Sequence, residues 1–305
     1  MMKNKICVLG GSGMLGSALV EVLTQNENND VVSHNSELCD LTNSEETKKY
    51  IRHISPTTIF NCAGLVGGIL TNMNHQYEHL YVNTSIAINA AHAAVGASVP
   101  NYFYISSSCM YPAECEQPMR EHMLLSGSPE KTNQGYALAK IVGGEITKFI
   151  MDQRWLNYRT FIPCNLYGPK DDFTKHGHVL GALISKICDA KRQDSNIVSI
   201  WGDGTARREF LHVDDCAKAL VLASEKTTEP FVNIGSGYDV SIVELAGMIS
   251  RVVKWEGEFS YDRDKPNGMM KKLLDTRIIR STGFVPSISL LDGIGLMVGE
   301  YNKCD

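Results

Sequence analysis

Apolar residues arrive along this chain in short runs, each closed by a turn and followed by apolar positions at helical spacing. Lys5-Ile6-Cys7-Val8-Leu9 is the first run; Gly10, Gly13 and Gly16 follow, and a helical pattern continues through Leu23. Val31-Val32-Ser33 reads as a second strand and Ser44 to His53 as a helix. Thr58 to Asn61 is a third strand ending in Cys62-Ala63-Gly64, and residues 75–97 read as one long, alanine-rich helix. Asn101 to Ser106 is the next strand, 134–153 the next helix, and Tyr158 to Pro163 another strand. Strand and helix alternate throughout, which predicts an α/β protein built on a Rossmann-type, doubly wound parallel sheet.

After Asn165-Leu166-Tyr167-Gly168-Pro169 the rhythm changes. A polar loop from Lys170 to Lys175 precedes a helix over Val179 to Ala190, and Val198 to Trp201 is a strand closed by Gly202-Asp203-Gly204. Arg208 to Asp215 leads into a helix whose expected cap is an aspartate. Phe231 to Gly235 is a late strand expected to return to the main sheet, and Ser241-Ile242-Val243-Glu244 has the form of a capping box. The expected division is a dinucleotide-binding domain of 1–167 plus about 206–235, with a smaller α/β substrate-binding lobe of about 168–205 plus 236–305.

Composition narrows the class. The 305 residues suffice for a full core, and 43% hydrophobic with 21% charged residues is ordinary for a globular chain. A net charge of −5 gives no electrostatic drive towards nucleic acid or an anionic membrane. No apolar run approaches the roughly 18 residues of a membrane span, and no secretory leader is visible. The nine cysteines are scattered, without a C-x-x-C pair or a Cys/His zinc spacing. Reduced thiols in a cytoplasmic protein without a metal are therefore expected.

Candidate chemistry gathers at residues 105–140. Tyr102 to Ile105 reads as a buried strand, and Ser106-Ser107-Ser108-Cys109 follows at its carboxyl end, where ligands sit in an open parallel sheet. Tyr136 and Lys140 are spaced i, i+4 and share a helix face. A nearby ammonium favours the phenolate of a tyrosine, and a serine hydroxyl can hydrogen-bond a reacting oxygen. This is a layout for moving a proton at a carbonyl that gains or loses a hydride. Tyr-x-x-x-Lys alone occurs by chance in many helices. It gains meaning from the serine-rich strand end and from the turn Gly10-x-x-Gly13-x-x-Gly16, which lets a pyrophosphate approach a helix N-terminus.

Together these features resemble the extended short-chain dehydrogenase/reductases. More specific pieces resemble, nearly end to end, the GDP-L-fucose synthase family: Ser107-Ser108-Cys109-Met110-Tyr111-Pro112, Tyr136-Ala-Leu-Ala-Lys140, Asn165 to Pro169, Arg208 to Asp215, Lys271 to Asp275 and Val66-Gly67-Gly68-Ile69. The resemblance implies C3 and C5 epimerisation of GDP-4-keto-6-deoxy-mannose and reduction of C4 by NADPH. It implies Cys109 as base and His178 as acid for epimerisation. Tyr136 would donate a proton to the C4 oxygen, Ser107 would stabilise that oxygen, and Lys140 would bind the nicotinamide ribose. Cofactor contacts carried over are Gly10, Ser12, Gly13, Met14, Leu15, Gly16, Asn35, Ser36, Asp40, Leu41, Ala63, Gly64, Ile105, Ser106, Tyr136, Lys140, Pro163, Asn165, Leu166 and His178. Those to the GDP-sugar are Ser108, Cys109, Asn165, Lys186, Trp201, Arg208 and Lys272; Trp201 reads equally as an aromatic of the lobe's core. The family also implies a homodimer joined through helices 75–97 and 134–153.

Three departures from the family leave alternatives open. Ser12 and Ser33-His34-Asn35-Ser36 stand where the family grips the 2′-phosphate with arginines, so serine, histidine and asparagine would be weaker ligands. No acidic residue closes the second strand as in NAD enzymes, so NADP is the expected cofactor and NAD the alternative. Lys186 replaces a usual arginine, keeping charge without the bidentate fork. Leu65 replaces a lysine, which admits another GDP-4-keto-deoxy sugar, as in GDP-L-colitose synthesis. C4 reduction alone is a further alternative, against which the presence of both Cys109 and His178 argues. A non-catalytic dinucleotide-binding protein is the rival of another class, but it has no need for Ser107, Tyr136 and Lys140 together.

Overall fold

The computed structural model describes residues 3–174, 177–265 and 267–303. The chain opens with β1 (Asn4–Leu9), α1 (Met14–Thr24), β2 (Asn29–Ser33), α2 (Ser44–Ile54) and β3 (Thr58–Asn61). A short α3 (Ile69–Asn74) and the long α4 (Gln76–Gly96) lead to β4 (Asn101–Ile105), and α5 (Gln134–Arg154) to β5 (Asn157–Pro163). Then come β6 (Asn165–Tyr167), α6 (Val179–Arg192), β7 (Ile197–Trp201), β8 (Arg207–His212), α7 (Val213–Lys226) and β9 (Phe231–Ile234). The remainder is β10 (Asp239–Ser241), α8 (Ile242–Val253), β11 (Glu258–Asp262), β12 (Lys271–Lys272), α9 (Arg277–Ser281) and α10 (Leu290–Tyr301).

Six parallel strands form the main sheet in the order β2-β1-β3-β4-β5-β9. Side chains alternate across a strand, and that alternation sorts the core into two layers. Val8, Phe60, Phe103 and Phe161 point to one face, where Leu19 and Leu23 of α1 and Ala217 and Leu220 of α7 cover them. Cys7, Leu9, Ile59, Tyr102, Tyr104 and Tyr158 point to the other, beneath Ala87, Ala90, Ala91 and Ala94 of α4. The late strand β9 pairs with β5, so the chain does return to the main sheet. Strand order reverses beside β1, and ligands of such sheets bind at that crevice.

A second assembly sits at the carboxyl edge. β8 pairs with β6 and β12 in parallel and with β10 antiparallel, and β7 pairs with β11. Tyr167, Ile184, Ile187, Ile249, Ile294 and Met297 form its core among α6, α8 and α10. The strand at 207–212 thus hydrogen-bonds within this smaller sheet.

Two local expectations change. The aspartates before α7 are not its cap: His212 Nδ1 accepts from Asp214 N at 3.3 Å, while the buried Asp215 accepts from Ser287 N and Ile288 N, each at 2.8 Å. The carboxylate serves a long-range tie because two backbone donors from residues 287 and 288 meet it there. The helix expected over 75–97 is preceded by α3, from which His75 separates it with φ −130°. The capping box at Ser241 and Glu244 is present in both its halves. Among the described residues no helix is long and apolar enough to cross a membrane.

Candidate active site

A cavity of about 740 Å³ opens where the carboxyl ends of β1, β3, β4 and β5 meet the second assembly. Its size falls in the range of small-molecule and cofactor sites. The glycine turn after β1 forms one end. Gly10 has φ +73°, and a Cβ there would lie 2.7 Å from Ala63 Cα; one at Gly16 would lie 2.1 Å from Gly10 O. The turn therefore packs against both the β3 loop and its own helix. Gly13 caps α1 without a side-chain bond, and the first turn holds no acidic residue, so its N–H groups are free for an anion. That is the fit a dinucleotide pyrophosphate needs.

Gly13, Met14, Leu15, Gly64, Ile105, Ser106, Pro163, Asn165, Leu166 and His178 line the cavity with Gly10 and Gly16. Ser12, Asn35, Ser36, Asp40, Leu41 and Ala63 do not. Ser12 is exposed, and its carbonyl accepts from Lys170 Nζ at 3.2 Å. Asn35 Oδ1 accepts from Glu37 N and Leu38 N, and Asp40 Oδ1 accepts from Thr42 N and Oγ1. Ser36 is exposed, Leu41 is buried among the residues under α4, and Ala63 lies behind Gly10. His34 is buried rather than facing a phosphate. Its Nε2 pairs with Cys39 O at 3.0 Å and its Nδ1 with Gly10 N at 3.3 Å, so it props the glycine turn from beneath.

The serines and α5 build the centre. A Cβ at Gly143 would fall 2.4 Å from the Tyr104 ring, so α5 lies directly on β4. This close approach carries Tyr136 and Lys140 to the serine-rich strand end. Lys140 Nζ donates to Ile105 O at 2.9 Å and lies 5.6 Å from the centroid of the Tyr136 ring. Burial lowers the Lys140 ammonium to about 8, opposed by the charges of Cys62 and Cys109. Burial also raises the Tyr136 phenol above its usual value, Cys109 raises it further, and a hydrogen bond with Ser107 opposes both. The expected lowering of the phenol by the lysine is thus reversed, because desolvation outweighs an ammonium already committed to a carbonyl. Tyr136 holds its proton through the neutral range.

Cys109 behaves in the opposite way. Burial opposes its ionisation, yet the charge of Lys272 and hydrogen bonds with Ser107, Lys272 and Asn133 bring the thiol below its usual value. Lys272 Nζ lies 3.2 Å and Asn133 Nδ2 3.0 Å from Cys109 Sγ. Ser107 Oγ accepts from Cys109 N at 3.3 Å. Nothing in the sequence pointed to Asn133, because an asparagine at a helix start reads as a simple cap.

Of the remaining expected sugar-nucleotide residues, Asn165, Lys186, Trp201, Arg208 and Lys272 line the cavity; Ser108 is buried in the turn behind Cys109 and does not. Arg208 lines the cavity, donates to the carbonyls of Arg207, Met269 and Asn267 and makes no salt bridge among the described residues; the opposite charges acting on it are Cys109 and Glu130. Lys186 Nζ sits 5.2 Å over the Trp201 ring and donates to Ser199 O at 3.0 Å. Trp201 is therefore a wall residue under a cation, not a core aromatic. His178 stands at the N-terminus of α6, and burial lowers its imidazole below the usual value, opposed by Asp172 and assisted by Lys272. Asp171 and Lys170 also line the cavity, without a prior signal in the sequence. Burial raises the Asp171 carboxyl to about 7.

Fold and site together define a nucleotide-dependent enzyme acting on a carbonyl-bearing substrate. The chain belongs to the NAD dependent epimerase/dehydratase family, whose model matches residues 6–235, and within it to the GDP-L-fucose synthase branch. It is 40% identical over 294 residues to a GDP-L-fucose synthase of Azorhizobium caulinodans, covering 95% of this chain and 94% of that one. It is 35% identical to a GDP-L-colitose synthase of Yersinia pseudotuberculosis, covering 95% of each. Among solved structures, a GDP-mannoheptose C4 reductase from Campylobacter jejuni with NADP bound superposes with a TM-score of 0.87 at 28% identity, over 99% of both chains.

Proposed function

We propose that this protein epimerises GDP-4-keto-6-deoxy-D-mannose at C3 and C5 and reduces it at C4 with NADPH, giving GDP-L-fucose. The observation that carries the reading is the pair of weak acids on one cavity wall, Cys109 tuned towards its anion and Tyr136 towards its neutral form. A proton beside a ketone is removed by a base, and the enolate is reprotonated from the other side by an acid. Cys109 takes the proton; His178, in the same cavity, returns one from its imidazolium form, which Asp172 favours and burial disfavours. The glycine turn, the α1 N-terminus and Lys140 would hold NADPH, which would supply the hydride. Tyr136 then gives its proton to the C4 oxygen, which Ser107 also hydrogen-bonds. Arg208, Lys186 and Lys272 bring positive charge to the cavity for an anionic diphosphate, and Trp201 offers a flat apolar face.

Leu65, half-exposed on the cavity wall, favours a second reading with another GDP-4-keto-deoxy sugar, such as one lacking the C3 hydroxyl, in keeping with the similarity to a GDP-L-colitose synthase. We further propose a homodimer through α4 and α5. Their outer faces expose Tyr77, Tyr81 and Ile88 at spacings of four and seven on α4, and Leu138 and Phe149 on α5. The free cysteines fit a reducing, cytoplasmic setting. We retain 1–167 plus about 206–235 as the cofactor domain, of which β6 and β8 hydrogen-bond in the smaller sheet rather than in the main one.

The test is oxidation of NADPH and NADH with GDP-4-keto-6-deoxy-mannose in deuterated water, with the product examined by NMR. GDP-L-fucose deuterated at C3 and C5, formed faster with NADPH, is expected. Reduction without deuterium at those carbons would remove the epimerase role, and turnover only of the dideoxy analogue would select the second reading.

A further inference from the structure

Asn133 stands at the N-cap of α5, a position where asparagine normally accepts from the backbone of the first helical turn. It makes no such bond. Its Nδ2 instead donates to Cys109 Sγ at 3.0 Å, and its Oδ1 is buried without a partner. A helix cap has been given up to aim an amide at a sulfur. From the other side Lys272 Nζ lies 3.2 Å from the same sulfur, although 163 residues separate them in sequence. β12 holds that lysine in register beside Arg208 of β8.

The other ionisable groups facing Cys109 are Tyr136 and Lys140 of α5 and Arg208 of β8. Lys140 is engaged with Ile105 O, and Arg208 with three backbone carbonyls. Tyr136 is neutral. Lys272 is the ammonium that rests on the sulfur, and Asn133 is the neutral donor that fixes its direction.

We propose that Lys272 and Asn133 are positioning residues of the Cys109 base: Lys272 holds the sulfur as a thiolate in an ion pair, and Asn133 orients its lone pair into the cavity. This rests on the reading of Cys109 as the epimerisation base. It changes the role of Lys272, which acts on the sulfur before any phosphate arrives. Because Asn133 begins the helix that carries Tyr136, base and reductive acid share one scaffold. A shift of α5 would move both.

The experiment is alkylation of Cys109 by iodoacetamide in the full-length protein with NADP⁺ bound, followed by peptide mass analysis across pH. It needs no sugar, so it succeeds or fails independently of the proposed substrate. The wild-type midpoint should lie below the value of about 8.5 for a free thiol. Lys272→Met should raise the midpoint and slow alkylation about tenfold or more at neutral pH, and Lys272→Arg should recover most of that loss. Asn133→Ala should raise the midpoint less, and Asn133→Asp more than Asn133→Ala. If Lys272→Met fails to fold, judged by NADP⁺ binding, the Lys272→Arg and Asn133 variants carry the test. An unchanged midpoint in a folded Lys272→Met, or in both Asn133 variants, overturns the proposal. A Lys272→Met variant that loses only affinity for the GDP-sugar would make Lys272 a phosphate ligand and overturn it as well.

Discussion

Tyr136 and Cys109 are weak acids a few side chains apart, and their surroundings drive them in opposite directions. Around Tyr136, α5 and β4 pack so closely that desolvation governs, and Lys140, tied to Ile105 O, does not offset it. Around Cys109, β12 and the start of α5 deliver an ammonium and an amide that outweigh the same cost of burial. Burial alone therefore assigns no role; what decides is whether a nearby cation is free to face the group. Separated ionisation of paired groups is how one site runs both acid and base chemistry near neutrality.

The largest expected effect isolates the Tyr136 side. Replacing Tyr136 with Phe leaves the ring and removes the proposed proton donor, so single-turnover NADPH oxidation should fall by about 10²–10⁴-fold, the usual contribution of a general acid. NADP⁺ binding, measured by calorimetry, should persist; its loss would mean that the ring itself builds the cofactor pocket.

Next in size is pH. Lys140 loses its proton through about pH 8, so hydride transfer should be full below that value and decline above it. The thiol of Cys109 has a lowered pKa, so deuterium exchange should rise with pH through that value and be lost as pH falls below it. The two profiles should have opposite slopes. A common profile would mean that one group limits both steps.

Gly143→Ala tests the scaffold. Its Cβ would meet the Tyr104 ring, and overpacking of this kind costs about 1–3 kcal/mol. A lower Tm with both activities reduced together is expected, since α5 carries groups from both sides. The smallest effect is expected from Ser241→Ala, which removes the capping box of α8 and about 1 kcal/mol of stability. Denaturant melts should register that loss while the ratio of exchange to reduction stays fixed. A changed ratio would couple the second assembly to the chemistry more tightly than the contacts indicate.

What the sequence made legible was local. The β1–glycine turn–α1 unit, the alternation of strands and helices, and Tyr136 with Lys140 on one face all follow from short-range spacing. The cap of α7 was misread because Asp215 meets donors 72 and 73 residues away. Asn133 and Lys272 reach Cys109 across 24 and 163 residues, and His34 supports Gly10 from the loop just beyond β2. No periodicity records such meetings. The tuning of Tyr136 escaped for the same reason, since a spacing of four places Lys140 on the right face without revealing that a carbonyl of β4 holds its charge.

The most direct test of the central claim follows deuterium entry at C3 and C5 and NADPH oxidation in the same sample, comparing Cys109→Ser with Tyr136→Phe. The account predicts a crossed result. Tyr136→Phe keeps exchange and loses reduction, while Cys109→Ser loses exchange and still oxidises NADPH when supplied with the already epimerised keto sugar. Loss of both activities in each variant, with folding and NADP⁺ binding intact, would contradict it.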